Sequence, residues 1–145
     1  MEKNVESMLA YFAQIRRFYA NEINQRFQKE GFSPNEISIL ILLSNNPSIN
    51  TSTQLRIILG VSKGLVSRSI DSLTLRGLIV CVRDPSDKRV QRIQLTPESQ
   101  PLLSRLRQEI QNINEELFSD ISLEELRQTE ETLSKLLDHF KEKES

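Results

Sequence analysis

Between Phe32 and Gly77 the chain alternates helix-start and helix-stop signals so closely that only short helices fit between them. Ser33 is a good N-cap, Pro34 suits the first helical position, and Glu36 can reach back to the cap backbone. Phe32 and Ile37 stand at the spacing of a hydrophobic staple across that start. Ile37, Leu40, Ile41 and Leu43 carry the helix on to Asn45-Asn46-Pro47, where proline drives the preceding residue out of the helical region. Thr51-Ser52-Thr53-Gln54 is a second capping box. It opens a short helix with Leu55, Ile58 and Leu59 as its expected buried face, and Gly60 stops it. After only Val61, Ser62 caps a third helix, with Leu65, Val66, Ile70 and Leu73 as its anchor and Gly77 as its end. Two short helices joined by a glycine-containing turn describe a helix-turn-helix.

A hairpin follows. Leu78-Ile79-Val80-Cys81-Val82 reads as a short β-branched strand, Arg83 to Lys88 as a charged turn, and Arg89 to Leu95 as a second strand with Ile93 and Leu95 facing inward. Long helices flank this centre. Val5, Met8, Phe12, Ile15, Tyr19, Ile23 and Phe27 form one stripe, while Leu9, Tyr11 and Phe18 lie off it. A helix that is apolar on more than one face needs cover on more than one face, and a partner chain is the natural cover. Gly31 is expected to end it. At the other end, Thr96-Pro97 opens a helix striped by Leu103, Leu106, Ile110, Ile113 and Leu117. Pro101 is accommodated near its first turn. Ser122 to Glu125 reads as a further capping box before Leu126, Leu133, Leu137 and Phe140. The expected fold is mainly α with a small β wing, a winged helix-turn-helix.

The 145 residues fit one domain, large enough for a core without disulfides or metals. The domain 1–145 is read as dimerisation helices at 1–30 and 97–145 around a DNA-binding part at 33–96. The net charge of −1 does not announce a nucleic-acid partner, but its distribution does. From Asn50 to Thr96 eight basic residues (Arg56, Lys63, Arg68, Arg76, Arg83, Lys88, Arg89 and Arg92) face three acidic ones (Asp71, Asp84 and Asp87), so a basic middle sits in an acidic frame. The single histidine, His139, has no Ser/His/Asp set around it in the sequence. No glycine-rich phosphate loop or His/Cys cluster is present, so neither an enzyme nor a bound cofactor or metal is expected. The one cysteine, Cys81, forms no disulfide framework and reads as a buried structural residue; Arg83, two positions on along the strand, keeps a redox alternative open. Met1-Glu2-Lys3-Asn4 leads into a helix without an apolar signal core, and no apolar run nears the ~20 residues that span a bilayer. The chain reads as soluble and cytoplasmic, with no membrane partner.

The helix that starts at Ser62 carries the chemistry. Its N-terminus is electropositive and offers free N–H groups to phosphate. Lys63 and Arg68 can bond guanine edges in the major groove, and Ser67 can bond bases or phosphate. Gly64 costs helix stability, roughly 1 kcal/mol against Ala, but lets a backbone approach closely. Arg83, Lys88 and Arg89 cluster on the hairpin turn, where arginine can enter a narrow minor groove. Asp84 and Asp87 can lock a guanidinium in one orientation.

The order of elements, the segment Val61-Ser62-Lys63-Gly64-Leu65-Val66-Ser67-Arg68, the segment Leu73-Thr74-Leu75-Arg76-Gly77-Leu78-Ile79, and Asp87-Lys88-Arg89 before Leu95-Thr96 together resemble the multiple-antibiotic-resistance regulator (MarR) family. The wing pattern is Asp, any residue, Arg, five residues, then Leu-Thr. The resemblance implies a winged helix whose terminal helices interlock two subunits, with the helix from Ser62 as recognition helix and Arg83 to Arg89 as wing. Arg89 would enter the minor groove with Asp87 positioning it. The implied contacts to double-stranded DNA are Thr51, Ser52, Ser62, Lys63, Gly64, Ser67, Arg68, Arg83, Asp87, Lys88 and Arg89. Such homodimers bind pseudo-palindromic operators, commonly repress neighbouring genes, and release DNA on binding small aromatic anions or on cysteine oxidation. Tyr11, Arg16 and Tyr19 are the effector-pocket candidates on the first helix, against the plainer reading of dimer packing and surface cations. Where the family often has glycine shortly after Leu-Thr, this chain has Ser99 and then Pro101, so its lead-in to the fifth helix is expected to differ. A winged-helix protein–protein module, with weak and sequence-indifferent DNA binding, remains the alternative.

Overall fold

The computed structural model describes residues 4–145; Met1 to Lys3, read above as the lead-in to the first helix, lie outside the described residues. In chain order the elements are α1 (Val5–Phe27), α2 (Pro34–Asn45), α3 (Ser52–Leu59), α4 (Lys63–Leu75), β1 (Ile79–Arg83), β2 (Gln91–Leu95), α5 (Gln100–Leu117) and α6 (Leu123–Glu144), with 3-10 turns at Gln28–Glu30 and Pro97–Ser99. The strands form one antiparallel hairpin in the register Ile79 to Leu95, Cys81 to Ile93 and Arg83 to Gln91. This is the mainly helical winged helix-turn-helix that the sequence leads one to expect. The chain divides into two compact units, Met1–Glu109 and Ile110–Ser145, and α5 runs from the first into the second.

In the first unit the helix boundaries follow the local chemistry. Ser33 Oγ accepts from Glu36 N and Glu36 Oε1 accepts from Ser33 N, closing the capping box. Phe32 and Ile37, the staple residues, are both buried. Thr51 and Gln54 close the second box in the same way, and Ser62 Oγ accepts from Leu65 N to start α4. Gly60 and Gly77 take positive φ of 65° and 72°, the left-handed conformation that ends a helix without a Cβ clash. The core is built on α2: Ile37, Ile39, Leu40 and Leu43 are buried, joined by Leu55 of α3, Val66, Ile70 and Leu73 of α4, Ile79 and Ile93 of the hairpin, and Leu103 and Leu106 of α5.

Several expectations change. Helix α1 ends at Phe27, and a 3-10 turn carries the chain to Gly31. Of the α1 stripe only Ile23 and Phe27 are buried, because the first unit covers just the last turns of the helix. Ile58 is 49% exposed where Leu55 is fully buried. In the eight-residue α3 the covered side runs from Leu55 to the half-buried Leu59, one turn on, and Ile58 stands at its edge. The strands are shorter or shifted: β1 starts at Ile79, and β2 at Gln91, since Lys88 and Arg89 belong to the turn. Leu95 is half-buried while Ile93 is fully inside. The lead-in to α5 is a 3-10 turn in which Thr96 Oγ1 donates to Gly77 O and caps nothing. Pro101 then falls in the first turn of α5, where an absent N–H leaves no bond unmade.

The second unit consists of the end of α5 and all of α6. Ser122 Oγ accepts from Glu125 N at the start of α6, which is the half of the expected capping box that forms. Helix α6 buries no residue, and Leu117, Phe118, Ile121, Leu123, Leu137 and Phe140 are exposed.

The contrast within α3 gives the first prediction. Leu55→Ala should lower the unfolding free energy by roughly 2–5 kcal/mol, as for other fully buried leucines. Ile58→Ala should stay within about 0.5 kcal/mol. Urea unfolding followed by circular dichroism measures both.

Candidate nucleic-acid interface

Three pieces meet on one face of the first unit: the N-terminus of α3, the N-terminal half of α4, and the hairpin. Capping by Thr51 and Ser62 fixes where the two helices start, for reasons local to the sequence. On α4, Lys63, Gly64, Ser67 and Arg68 are exposed, and Val66 and Ile70 bury the opposite side. A Cβ at Gly64 would stand 3.3 Å from Arg68 Nη1, so the bare backbone leaves room for that guanidinium to lie along the helix. Ser52, Thr53, Arg56, Lys63 and Val66 line one shallow groove between the two helices. Thr51 to Gln54 and Arg89 to Arg92 line a second groove, between α3 and the hairpin.

The hairpin turn is held by two carboxylates with different jobs. Asp84 Oδ1 accepts from Ser86 N at 2.7 Å and Asp87 N at 3.2 Å, and its Oδ2 accepts from Arg92 Nε at 2.8 Å. Arg92 passes the restraint on: its Nη1 donates to Asn50 Oδ1 at 3.0 Å, while Ile93 N donates to Asn50 O at 2.7 Å. The turn is thereby tied to the loop that caps α3. Asp87 instead holds Arg89, accepting from its backbone N at 3.1 Å, its Nε at 3.1 Å and its Nη2 at 3.2 Å. The side-chain exposures separate the roles: 16% for Asp84 against 90% for Arg89. The first pair is part of the scaffold; the second presents an oriented guanidinium to solvent. Hydrogen bonds from Arg92, then from Ser86 N and Asp87 N, hold the Asp84 carboxyl below the usual carboxylate range, and the Arg89 bonds do the same for Asp87.

The eleven residues singled out for DNA stand on α3, α4 and the hairpin or at the helix caps, and all but Thr51 and Asp87 are exposed. Arg83, at the end of β1, and Lys88, in the turn, are exposed. The charge count overstated the footprint. Arg92 is bound to Asp84 and Asn50, and Arg76, though exposed, donates to Glu30 O and lies over the Phe32 ring, so both are engaged within the fold. Asn50 and Arg92 went unrecognised as structural partners. The signal for them was the Asp-Pro-Ser-Asp turn, whose first carboxylate needs a donor from the opposite strand.

The effector candidates do not line either groove. Tyr11 is exposed and Tyr19 is half-buried, with burial pushing its phenol up. The Arg16 guanidinium lies near the end of α3, 3.9 Å from where a Cβ at Gly60 would stand. Cys81 is half-buried beside Asp71. Burial and that negative charge push its thiol up, against a hydrogen bond with Thr74, which leaves less thiolate to oxidise. No helix among the described residues is long and apolar enough to cross a membrane.

The fold is that of a winged helix-turn-helix, with this face formed by α3, α4 and the hairpin. Residues 30–90 match the model of the MarR family. Over nearly their whole lengths, the chain is similar to the transcriptional regulator BldR from Sulfolobus solfataricus: 27% identity, TM-score 0.78, covering 96% of this chain and 99% of the other. It shares its fold with a MarR family transcriptional regulator from Silicibacter pomeroyi (24% identity, TM-score 0.81, covering 93% and 91%). It also shares it with CouR from Rhodococcus jostii RHA1, solved bound to p-coumaroyl-CoA (19% identity, TM-score 0.76, covering 93% and 95%).

The Asp84 ion pair sets a pH dependence. A carboxyl held below its ordinary value orders the turn fully above that value, about 3.9, and releases it as pH falls through the depressed one. The amide resonances of Ser86 and Asp87 should therefore titrate with a midpoint below the ordinary aspartate value. Arg92→Ala should move that midpoint up toward the ordinary value in an NMR pH series.

Proposed function

We propose that this chain is a sequence-specific DNA-binding transcriptional regulator, a repressor that grips a pseudo-palindromic operator as a homodimer. The observation that carries this reading is the pairing of an exposed basic α4 start with an arginine that Asp87 holds out from the hairpin. Lys63, Ser67 and Arg68 suit base edges in the major groove, and Ser62 and Gly64 bring the helix start close. Thr51 and Ser52 offer the α3 start to a phosphate. Arg89 reaches the adjacent minor groove while Arg83 and Lys88 meet the flanking backbone. The chain acts by binding rather than by catalysis, in the cytoplasm where its operator lies.

Dimerisation follows from exposed apolar surface. Leu9, Phe12, Ile15 and Phe18 on α1 are open, as are Leu137 and Phe140 on α6, and a monomer rarely leaves so much apolar surface in water. In this reading residues 1–30 and 97–145 join the two copies and residues 33–96 face DNA. A small aromatic or anionic effector would act near Tyr11, Arg16 and Tyr19, since Arg16 reaches the end of α3. The p-coumaroyl-CoA held by CouR supports an aromatic, anionic ligand of this kind.

The test is a salt-dependent titration against DNA upstream of the chain's own gene, with a scrambled duplex as competitor. Binding should be at least ~10³-fold tighter to the upstream duplex. Arg89→Ala should weaken it by roughly 1–3 kcal/mol without altering the unfolding midpoint. Equal, weak binding to both duplexes would support a protein–protein module instead. In sedimentation velocity the wild-type chain should run as a dimer, and Phe12→Asp should shift it to half that mass; a wild-type monomer would refute the dimer.

A further inference from the structure

The rear of α4 is held by more than apolar packing. Its last turns carry Ser72 and Arg76, four residues apart and so on one face. Both reach the junction between α1 and α2. Ser72 Oγ donates to Glu36 Oε2 at 2.9 Å. Arg76 Nη2 donates to Glu30 O at 2.7 Å, and its guanidinium lies 3.9 Å from the centroid of the Phe32 ring. Arg105 of α5 grips the same junction, pairing with the Glu30 carboxylate and lying 4.9 Å over the Phe27 ring. Between them Gly31 has φ 72°, and a Cβ there would stand 3.2 Å from Arg76 Nη2. The missing side chain thus leaves the guanidinium its place.

We propose that Arg76 and Ser72 are positioning residues for DNA reading: they latch the rear of α4 to the Glu30–Glu36 junction and so set the angle at which Lys63, Ser67 and Arg68 meet the bases. This rests on the DNA-reading function above. Apolar contacts through Val66, Ile70 and Leu73 hold α4 in place but are not directional, whereas hydrogen bonds and a stacked guanidinium are. Lys63 and Arg76 are about 20 Å apart along the axis, so a tilt of about 5° pivoting at the rear moves the reading end by more than 1 Å. That is enough to break a bidentate contact to a base. Arg76 is itself exposed, so its loss should leave the core packed. The same junction is bonded to α5, so a movement of α5 has a direct route to α4.

The experiment compares wild type, Arg76→Ala, Ser72→Ala and Arg89→Ala, each checked for an unchanged dimer and helix content. Affinities for the upstream and scrambled duplexes are measured across a salt series. The latch predicts that Arg76→Ala lowers the specificity ratio roughly tenfold. The salt slope should stay at the wild-type value, since no phosphate contact is removed. Ser72→Ala should lower the ratio in the same direction with no charge changed. Combining Arg76→Ala with Arg68→Ala should cost less than the two losses together, while combining it with Arg89→Ala should give the full sum of the losses. A salt slope reduced by about one with the ratio unchanged would make Arg76 a direct phosphate contact and overturn the latch. Unchanged binding in both single variants would overturn it too. If Arg76→Ala does not fold, Ser72→Ala decides by the same ratio. A wild type with no preference for the upstream duplex overturns the DNA reading itself, and the latch with it.

Discussion

Helix α2 has no polar side broad enough to leave it at a surface. Ile37, Ile39, Leu40 and Leu43 are all buried, and the rest of the first unit is arranged to bury them: the end of α1, then α3, α4 and β2 pack against it. Burying a large aliphatic side chain is worth roughly 1.5–3 kcal/mol, so four on one twelve-residue helix fix it firmly. Once α2 is central, α3 and α4 are committed to present their polar sides outward. The basic start of α4 is on the surface because Val66, Ile70 and Leu73 are needed inside.

Position alone does not aim a side chain. Aim comes from directional bonds at the edges of this core, and each recruits a residue that also serves secondary structure. Glu36 closes the α2 cap and accepts from Ser72; Asn50 donates its backbone N–H to the Gln54 side chain within the α3 cap and accepts from Arg92; Asp84 closes the hairpin turn and accepts from Arg92. A cap placed where it can do both couples a local boundary to a tertiary contact. That explains how a hairpin turn of polar residues keeps a defined geometry beside α3.

Much of this was legible in the sequence because its signals are short-range. The caps at Ser33, Thr51 and Ser62 and the stops at Gly60 and Gly77 depend on residues within one turn, and they gave the helix boundaries of the first unit to within a residue or so. The Asp87–Arg89 pair is equally local and formed as its spacing suggested. Some local readings failed, such as the cap at Thr96 and half of the box at Ser122, but the failures that matter most for the site were long-range. Whether Ile58 is covered depends on how far α3 extends over its neighbours, and the depth of the α1 stripe depends on where the first unit ends. Tertiary partners, which leave no periodic trace, also decide whether a charge faces outward.

Charge counting shows the cost of that blindness. Arg56, Lys63, Arg68, Arg76 and Arg92 look alike in a sequence, yet Arg76, though exposed, and Arg92 are bonded to other elements of the fold. A guanidinium is suited to the internal task because it can bond in two directions at once. Arg92 bridges a carboxylate and an amide oxygen, and Arg76 bonds a carbonyl while stacking on a ring. Lysine has neither the planar face nor the fork. Of the basic residues in the winged helix, those that fix the scaffold are therefore arginines sited opposite an acceptor fixed by a turn or a cap. Lys63 and Arg68 near the start of α4 and Arg89 at the turn tip stay exposed, Arg89 oriented by Asp87 of its own turn.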